Sequence, residues 1–284
     1  MKKILSILIT LNLLTTLPVN AAIHEKSETR TVVTGVTHTS TETFTENGWV
    51  RTNILRVDLT NKNLDLTTLF SSKGISYLSS IPNDAAESGV IAAVNGDFFN
   101  WYSSMPGRST PLGLTARDGE IISSPSHDTG LAALMENDRG ELFAGYFQMN
   151  LELVAPNGNK CTIIHINKFH PMESVVMYTS AWGATTPGSH DNTIEMVVTD
   201  GIVTEIRENM DGAPIPKNGY VLATSKLVNL FFLENFKVGD KAEIECAITP
   251  DHGNIKTAIG GGTVLVSEGK VVKFTNVISG SHPR

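Results

Sequence analysis

The stretch Val197-Val198-Thr199-Asp200-Gly201-Ile202-Val203 places two runs of β-forming residues on either side of an Asp-Gly pair. An Asp-Gly pair in this position is a strong signal for a two-residue β-hairpin, because both residues readily adopt positive φ. Similar dipeptides, Asn157-Gly158 and Glu268-Gly269, also punctuate pairs of apparent strands. We therefore expect antiparallel strand pairs through the later part of the chain.

The rest of the chain adds more strands and few helices. Apolar and polar residues alternate over residues 53–60, which is the period of a half-buried strand. Helices are predicted over residues 82–88, stopped by Gly89, and over residues 226–236, with Ser225 as the cap. Many strands and few helices in mixed order favour an α+β fold, β-rich, with mixed and antiparallel sheets.

The first 21 residues have the three parts of a secretory signal peptide. Lys2 and Lys3 precede an apolar run over residues 4–17, and Val19-Asn20-Ala21 offers a cleavage site after Ala21. The run is too short for a spanning helix, which needs about 20 apolar residues. We expect a secreted or cell-envelope protein without stable membrane insertion, in which residues 22–284 form one domain with a β-rich subdomain at about residues 146–248.

Composition and charge limit the classes of partner that the protein could bind. Hydrophobic residues make up 40% and charged residues 18% of the chain, as in ordinary globular domains. The formal net charge of −7 argues against nucleic acid, whose phosphates would be repelled. Cys161 and Cys246 either pair or remain two buried thiols, and no His or Cys spacing predicts a metal site. No motif identifies a cofactor.

Three groups of residues are candidates for chemistry. The apolar run over residues 90–94, predicted to be a strand buried on both faces, ends in Asn95-Gly96-Asp97-Phe98. Asn95 offers a donor and an acceptor, and Asp97 a carboxylate, although Asn-Gly is also a common hairpin turn. Gly260-Gly261-Gly262 is either an anion-binding backbone loop or a flexible loop. At the C-terminus, His282 could transfer protons and Arg284 could bind a phosphate.

In their order and spacing, these motifs resemble the phosphodiester glycosidase family. The matching segments are Ala92-Ala93-Val94-Asn95-Gly96-Asp97-Phe98-Phe99, Pro111-Leu112-Gly113, Asp118-Gly119-Glu120-Ile121-Ile122-Ser123-Ser124, Ile215-Pro216-Lys217-Asn218-Gly219-Tyr220-Val221-Leu222, Phe236-Lys237-Val238-Gly239-Asp240, Ala258-Ile259-Gly260-Gly261-Gly262 and His282-Pro283-Arg284. The resemblance extends from about residue 41 to residue 284.

The resemblance implies hydrolysis of a sugar-1-phosphodiester, either of N-acetylglucosamine or within a cell-surface glycopolymer. Positive charge then develops on the sugar ring and negative charge on the phosphate. A carboxylate would stabilise the first and a guanidinium the second. Asp97 and Arg284 are the candidates, with His282 beside Arg284 and Asn95 holding sugar hydroxyls. Five glycines and Phe98 would shape the floor of the substrate site; the glycines are Gly96, Gly113, Gly260, Gly261 and Gly262.

Two further expectations follow. Family members continue past the His-Pro-Arg motif with additional site motifs, so the chain that ends at Arg284 is expected to be a fragment and inactive alone. The alternative function is a non-catalytic polysaccharide-binding module, in which Trp49, Trp101, Tyr102 and Trp182 stack on sugar rings.

Overall fold

The structure, a computed structural model, describes residues 24–101, 107–125, 130–169 and 174–272. The predicted signal peptide, Tyr102, His282 and Arg284 lie outside these residues. The chain divides into two compact units, with the boundary after Asp65.

The first unit is an antiparallel meander of three strands: β1 (His24–Val33), β2 (Val36–Thr45) and β3 (Gly48–Val57). Most of its side chains are exposed or half-buried, and Val36 is buried. Hydroxyl pairs join β1 to β2, with Ser27 and Thr41 Oγ atoms 3.0 Å apart. Cross-strand pairs of this kind stabilise a sheet that has little core of its own.

The second unit contains the remaining strands and both helices. In chain order these are β4 (Phe99–Trp101), β5 (Ser109–Pro111), β6 (Thr115–Arg117), β7 (Glu120–Ser123), β8 (Ala132–Asn137), β9 (Leu142–Tyr146), β10 (Gln148–Val154), β11 (Lys160–Ile166), β12 (Val175–Thr179), β13 (Thr193–Thr199), β14 (Ile202–Glu208), β15 (Gly219–Ser225), β16 (Glu243–Thr249), β17 (Ile255–Gly260), β18 (Val266–Ser267) and β19 (Lys270–Val271), with α1 (Ile81–Ser88) and α2 (Phe231–Asn235).

Two larger sheets organise this unit. The seven-stranded sheet has the order β14-β13-β15-β12-β11-β10-β16, and the five-stranded sheet has the order β7-β6-β17-β8-β9. Among the described residues β11 and β12 pair in parallel, whereas the other strand pairs are antiparallel. The β-rich, mainly antiparallel architecture is therefore confirmed. The seven-stranded sheet comes entirely from the segment in which the sequence predicts a subdomain, and the subdomain boundaries stay a prediction.

The predicted hairpins are present. Asp200 and Gly201 connect β13 to β14 with φ of 50° and 76°, and Glu268 and Gly269 connect β18 to β19 with φ of 50° and 73°. Positive φ at both central residues matches the twist of the flanking strands. Gly158 likewise has a φ of 83° between β10 and β11.

One helix prediction is confirmed and the other is wrong at its start. Helix α1 ends at Gly89, whose φ of 67° is the left-handed conformation that terminates helices. Helix α2 begins at Phe231 rather than at Lys226. The Ser225 Oγ atom accepts a 3.2 Å hydrogen bond from the Leu227 N–H, which forms a local turn directly after β15.

Apolar side chains connect the two larger sheets. The main core lies on the seven-stranded sheet and includes Leu151, Met196 and Leu222, with Phe232 of α2 packed against it. A second core on the five-stranded sheet includes Leu114 and Met135. Ile121 and Ile248 contact both cores, so the sheets share one continuous apolar interior.

The structure contradicts a disulfide between the cysteines and matches the second alternative only in part, since Cys161 is half-buried and Cys246 is exposed. Cys161 lies on β11 opposite Leu153, and Cys246 lies on β16 opposite Leu151. Since β10 separates the two cysteines, they are at least two strand spacings, roughly 10 Å, apart. A disulfide does not span that distance, and both cysteines are free. Burial raises the pKa of both thiols.

A buried ion pair links the neighbouring strands β13 and β14. Glu195 is 2% exposed, and one of its carboxylate oxygens lies 3.3 Å from Arg207 Nε. The Thr186 hydroxyl donates to the other oxygen and accepts a 2.8 Å hydrogen bond from the Ala213 N–H. Burial raises the pKa of Glu195, whereas Thr186 and Arg207 lower it.

We predict that Arg207→Met lowers the free energy of unfolding by about 3 kcal/mol, because it leaves a buried carboxylate without its counter-charge. The measurement is urea denaturation at neutral pH. The matched control is Lys226→Met, which breaks the more exposed Lys226–Glu208 pair of the same sheet and should cost less than about 1 kcal/mol. Equal losses in the two variants would contradict the prediction.

Candidate functional site

The segment before Asp97 differs from the prediction. Residues 90–94 form no strand among the described residues, and Ile91 and Val94 are 51% and 72% exposed. The prediction of a strand buried on both faces is therefore wrong, because no described strand pairs with this segment. Asp97 is instead placed by the backbone that follows it, where Phe99 of β4 pairs with Pro111 of β5.

Two backbone N–H groups hold the Asp97 carboxylate. Gly113 N–H donates to Oδ2 at 2.6 Å, and Phe98 N–H donates to Oδ1 at 2.7 Å. The β4–β5 pair is extended by a 2.8 Å hydrogen bond from Leu112 N–H to Phe98 O, which brings Gly113 next to Asp97. Phe98, Leu112 and Leu131 form a small buried cluster beside the carboxylate.

Glycines make the space that this carboxylate occupies. A Cβ atom at Gly260 would lie 2.5 Å from Asp97 Cγ, and one at Gly113 would lie 3.0 Å from Asp97 Oδ2. A Cβ at Gly113 would also lie 2.8 Å from Gly260 Cα. Both positions therefore require glycine. Gly96 is also a close-packing residue, since its Cβ would lie 2.4 Å from Ile259 Cγ1. The hairpin-turn interpretation of Asn95-Gly96 is therefore replaced by close approach to β17.

The triple glycine is held against strand β8, so it is not a flexible loop, and the Gly261 N–H is not available to an anion. Gly261 N–H donates to Ala132 O at 2.8 Å, and Gly262 O accepts from Ala132 N–H at 2.8 Å. A Cβ at Gly262 would lie 3.4 Å from the Phe98 ring. The run continues the pairing of β17 with β8 and covers the aromatic side of the site.

Lys168, which sequence reasoning missed, lies at the same site. It is 7% exposed, and its Nζ atom donates to Pro111 O at 2.9 Å and to Leu112 O at 2.8 Å. It follows Asn167, a buried residue with a φ of 50° whose Nδ2 donates to Ile122 O at 2.8 Å. A lone lysine after a strand carries no sequence signal of burial, so only the tertiary structure reveals it.

Burial dominates the electrostatics of the site. It raises the pKa of Asp97 to about 6, although the Gly113 N–H, the Lys168 charge and the Phe98 N–H all lower it. Burial also lowers the pKa of Lys168 to about 7, and the Asp97 charge opposes that shift. Both groups therefore change protonation close to neutral pH, which suits acid–base chemistry.

The predicted site residues are only partly brought together. The Asp97 carboxylate is contacted by Phe98, Gly113 and Gly260. Gly96 packs on Ile259, and Gly262 packs on the Phe98 ring. Asn95 is exposed, and Trp101 at the end of β4 is 64% exposed. His282 and Arg284 lie outside the described residues, so their roles stay predictions.

A separate cleft of about 420 Å³ lies elsewhere on the second unit, and Asp97 does not line it. Its lining is polar and includes three carboxylates, those of Glu87, Asp118 and Glu120. Arg117 contributes one positive charge, with its guanidinium 4.1 Å from the centre of the Phe70 ring. The excess of negative charge disfavours anionic ligands in this cleft.

Comparisons with known proteins identify the fold. No family model matches the chain, and no curated protein matches it either. A hypothetical protein from Synechocystis has a similar structure, with a TM-score of 0.73 and 21% identity over 88% of this chain and 46% of that one. A candidate exported protein from Burkholderia pseudomallei has a TM-score of 0.70 and 14% identity, over 85% of this chain and 73% of that one.

At these identities the likeness shows the fold alone. The chain spans about half the length of the Synechocystis protein. Among the described residues, no group of three or more His, Cys, Asp or Glu side chains is placed to hold a metal ion. None of the helices in the described ranges is long and apolar enough to cross a membrane.

The raised pKa of Asp97 predicts a specific dependence of stability on pH. Between its ordinary value of 3.8 and about 6, the unfolded chain has lost a proton that the folded chain retains. The free energy of unfolding contributed by Asp97 should therefore fall as pH rises through this window. Urea denaturation of the unchanged protein and of Asp97→Asn at pH 4 and pH 6.5 measures the difference. A contribution that rises with pH would show that burial does not dominate.

Proposed function

We propose that the protein is an exported hydrolase of the phosphodiester glycosidase type that cleaves sugar-1-phosphodiester linkages. One observation carries the proposal: three separate motifs of the chain converge on one part-buried carboxylate, that of Asp97, through Gly113 and Gly260. These are the segments on which the resemblance to the family rests. Export and the α+β class belong to the same proposal, and the similarity to a candidate exported protein supports export.

The chemistry of the linkage fits a site built around one carboxylate. The bond between the sugar C1 and the phosphate oxygen breaks, and the oxygen of a water molecule bonds to C1. The phosphate leaves as a monoester anion, a weak base that needs little assistance from a general acid. The Asp97 carboxylate stabilises positive charge on the sugar ring or accepts the proton of the attacking water.

This role requires the ionised form of Asp97. Because burial raises the pKa of Asp97 to about 6, the carboxylate forms only as pH rises through that value. The rate of hydrolysis should therefore increase with pH up to neutrality.

The test compares Asp97→Asn with the unchanged protein, purified from the cells that export it. The substrate is N-acetylglucosamine joined through its 1-phosphate to a methyl group, and release of the sugar is followed by NMR. We expect a loss of about 10²–10⁴-fold in kcat. Asp118→Asn, which removes a carboxylate with 88% side-chain exposure, should retain full activity. Circular dichroism verifies that both variants fold.

Two results would overturn the proposal. One is full activity in correctly folded Asp97→Asn, which would leave Asp97 as a structural residue. The other is no release of sugar by the protein in the form that the exporting cells produce, from either N-acetylglucosamine-1-phosphomethyl ester or a sugar-phosphate glycopolymer.

Exposed aromatic surface favours a second candidate, a polysaccharide-binding module without catalysis. Trp101 is 64% exposed and follows the site directly, and Trp49 is 66% exposed in the first unit. Trp182 does not belong to this group, since it is 2% exposed and packs against Tyr178 at 4.9 Å. Exposed indole rings stack on the apolar faces of sugars.

For this second candidate we predict that Trp101→Ala weakens binding of an N-acetylglucosamine oligosaccharide about tenfold, which corresponds to about 1.4 kcal/mol of lost stacking. Isothermal titration calorimetry measures the affinity, and Trp49→Ala tests separately whether the exposed indole of the first unit contributes. Unchanged affinity in Trp101→Ala would remove this tryptophan from any sugar site.

A further inference from the structure

Lys168 is a charged side chain in an unusual position. It is 7% exposed, yet it neither reaches solvent nor forms a direct ion pair in the described structure. Its backbone is fixed on both sides, because Asn167 Oδ1 accepts from Thr179 N–H at 2.9 Å and Tyr178 OH donates to Lys168 O at 3.2 Å. Lysine is almost never buried to this extent unless its ammonium group is paired with other polar groups.

The ammonium group binds the peptide segment that donates a hydrogen bond to Asp97. Its two acceptors, Pro111 O and Leu112 O, immediately precede Gly113, whose N–H donates to Asp97 Oδ2 at 2.6 Å. A single side chain therefore fixes the two carbonyls before the N–H group that orients the carboxylate. The Lys168 charge also acts on Asp97 through the buried interior.

We propose that Lys168 is the positioning residue of Asp97: it fixes the two carbonyls that precede the Gly113 N–H on the carboxylate, and its buried positive charge favours the ionised form of that carboxylate. A neutral side chain of similar length would fill the same space without the free-energy cost of burying a charge. The lysine is therefore explained by its effect on Asp97 rather than by packing.

Within the described ranges, the polar groups that face the pair come mainly from the backbone. Asp97 and Lys168 are the charged groups that act on one another. The Gly113 and Phe98 N–H groups face the carboxylate, the two carbonyls face the ammonium, and Tyr178 is the titratable side chain packed on the Lys168 backbone. With the pKa of Asp97 near 6 and that of Lys168 near 7, both are charged in a narrow range around pH 6.5.

The test is a carbon-13 NMR titration of the Asp97 carboxyl, which needs no substrate. In the unchanged protein the Asp97 resonance should show a main step near pH 6 and a second response as Lys168 loses its proton near pH 7. In Lys168→Met the main step should move up by about one pH unit, because a nearby opposite charge has been removed. Lys160→Met, which removes a partly exposed lysine of β11, should leave the titration unchanged.

A second variant separates hydrogen bonding from charge. Lys168→Gln keeps an N–H donor for the two carbonyls and lacks the charge, so the Gly113 amide resonance should stay near its position in the unchanged protein while the Asp97 titration still moves up. An Asp97 titration that does not respond to Lys168 in the unchanged protein overturns the proposal, even if neither variant folds. An unmoved midpoint in either folded variant overturns it as well.

The pH dependence of hydrolysis is a further readout, and this part rests on the proposed function. The profile of kcat/KM should rise as Asp97 ionises, and Lys168→Met should shift this rising limb to higher pH. If the unchanged protein hydrolyses nothing, the proposed function fails while the NMR titration still decides the role of Lys168.

Discussion

The Asp97 carboxylate occupies the space into which a side chain at Gly260 would project. The positions of the neighbouring backbone segments depend on this contact. Gly113 has to approach closely enough to donate an N–H at 2.6 Å, and its own side chain would collide with Gly260 Cα at 2.8 Å. Three segments can meet this closely only if the sheets that carry them hold their backbones in register, since close-packed interiors leave no slack for a misplaced strand.

The two larger sheets supply that register. Strand β17 lies in the interior of the five-stranded sheet, between β6 and β8, and ends at Gly260. Strand β11 of the seven-stranded sheet ends just before Asn167 and Lys168. The site therefore lies where strand ends from both sheets come together, and the shared apolar interior that includes Ile121 and Ile248 keeps those ends in place. Loops positioned by a rigid scaffold are the usual place for binding and catalytic groups.

The chemistry of the site depends on how it excludes water. The pKa of an exposed Asp lies far below neutral pH, and that of an exposed Lys lies far above it. Burial moves both groups toward neutrality, and each partly offsets the shift of the other. Two residues that would be inert charges on the surface thus become a pair whose proton content changes within the physiological range.

Local sequence patterns determined the hairpins, helix α1 and the β-rich character of the chain, because φ preferences at Asp200-Gly201 and Gly89 act within a few residues. The glycines of the site were also recognisable, from their order along the chain. Tertiary structure alone decided the rest. An apolar run such as residues 90–94 becomes a strand only if another strand pairs with it, and cysteines pair only if no strand separates them. The sequence around Lys168 looks the same whether the lysine is buried or exposed. Its place beside Asp97 therefore depends on contacts between residues far apart in the chain.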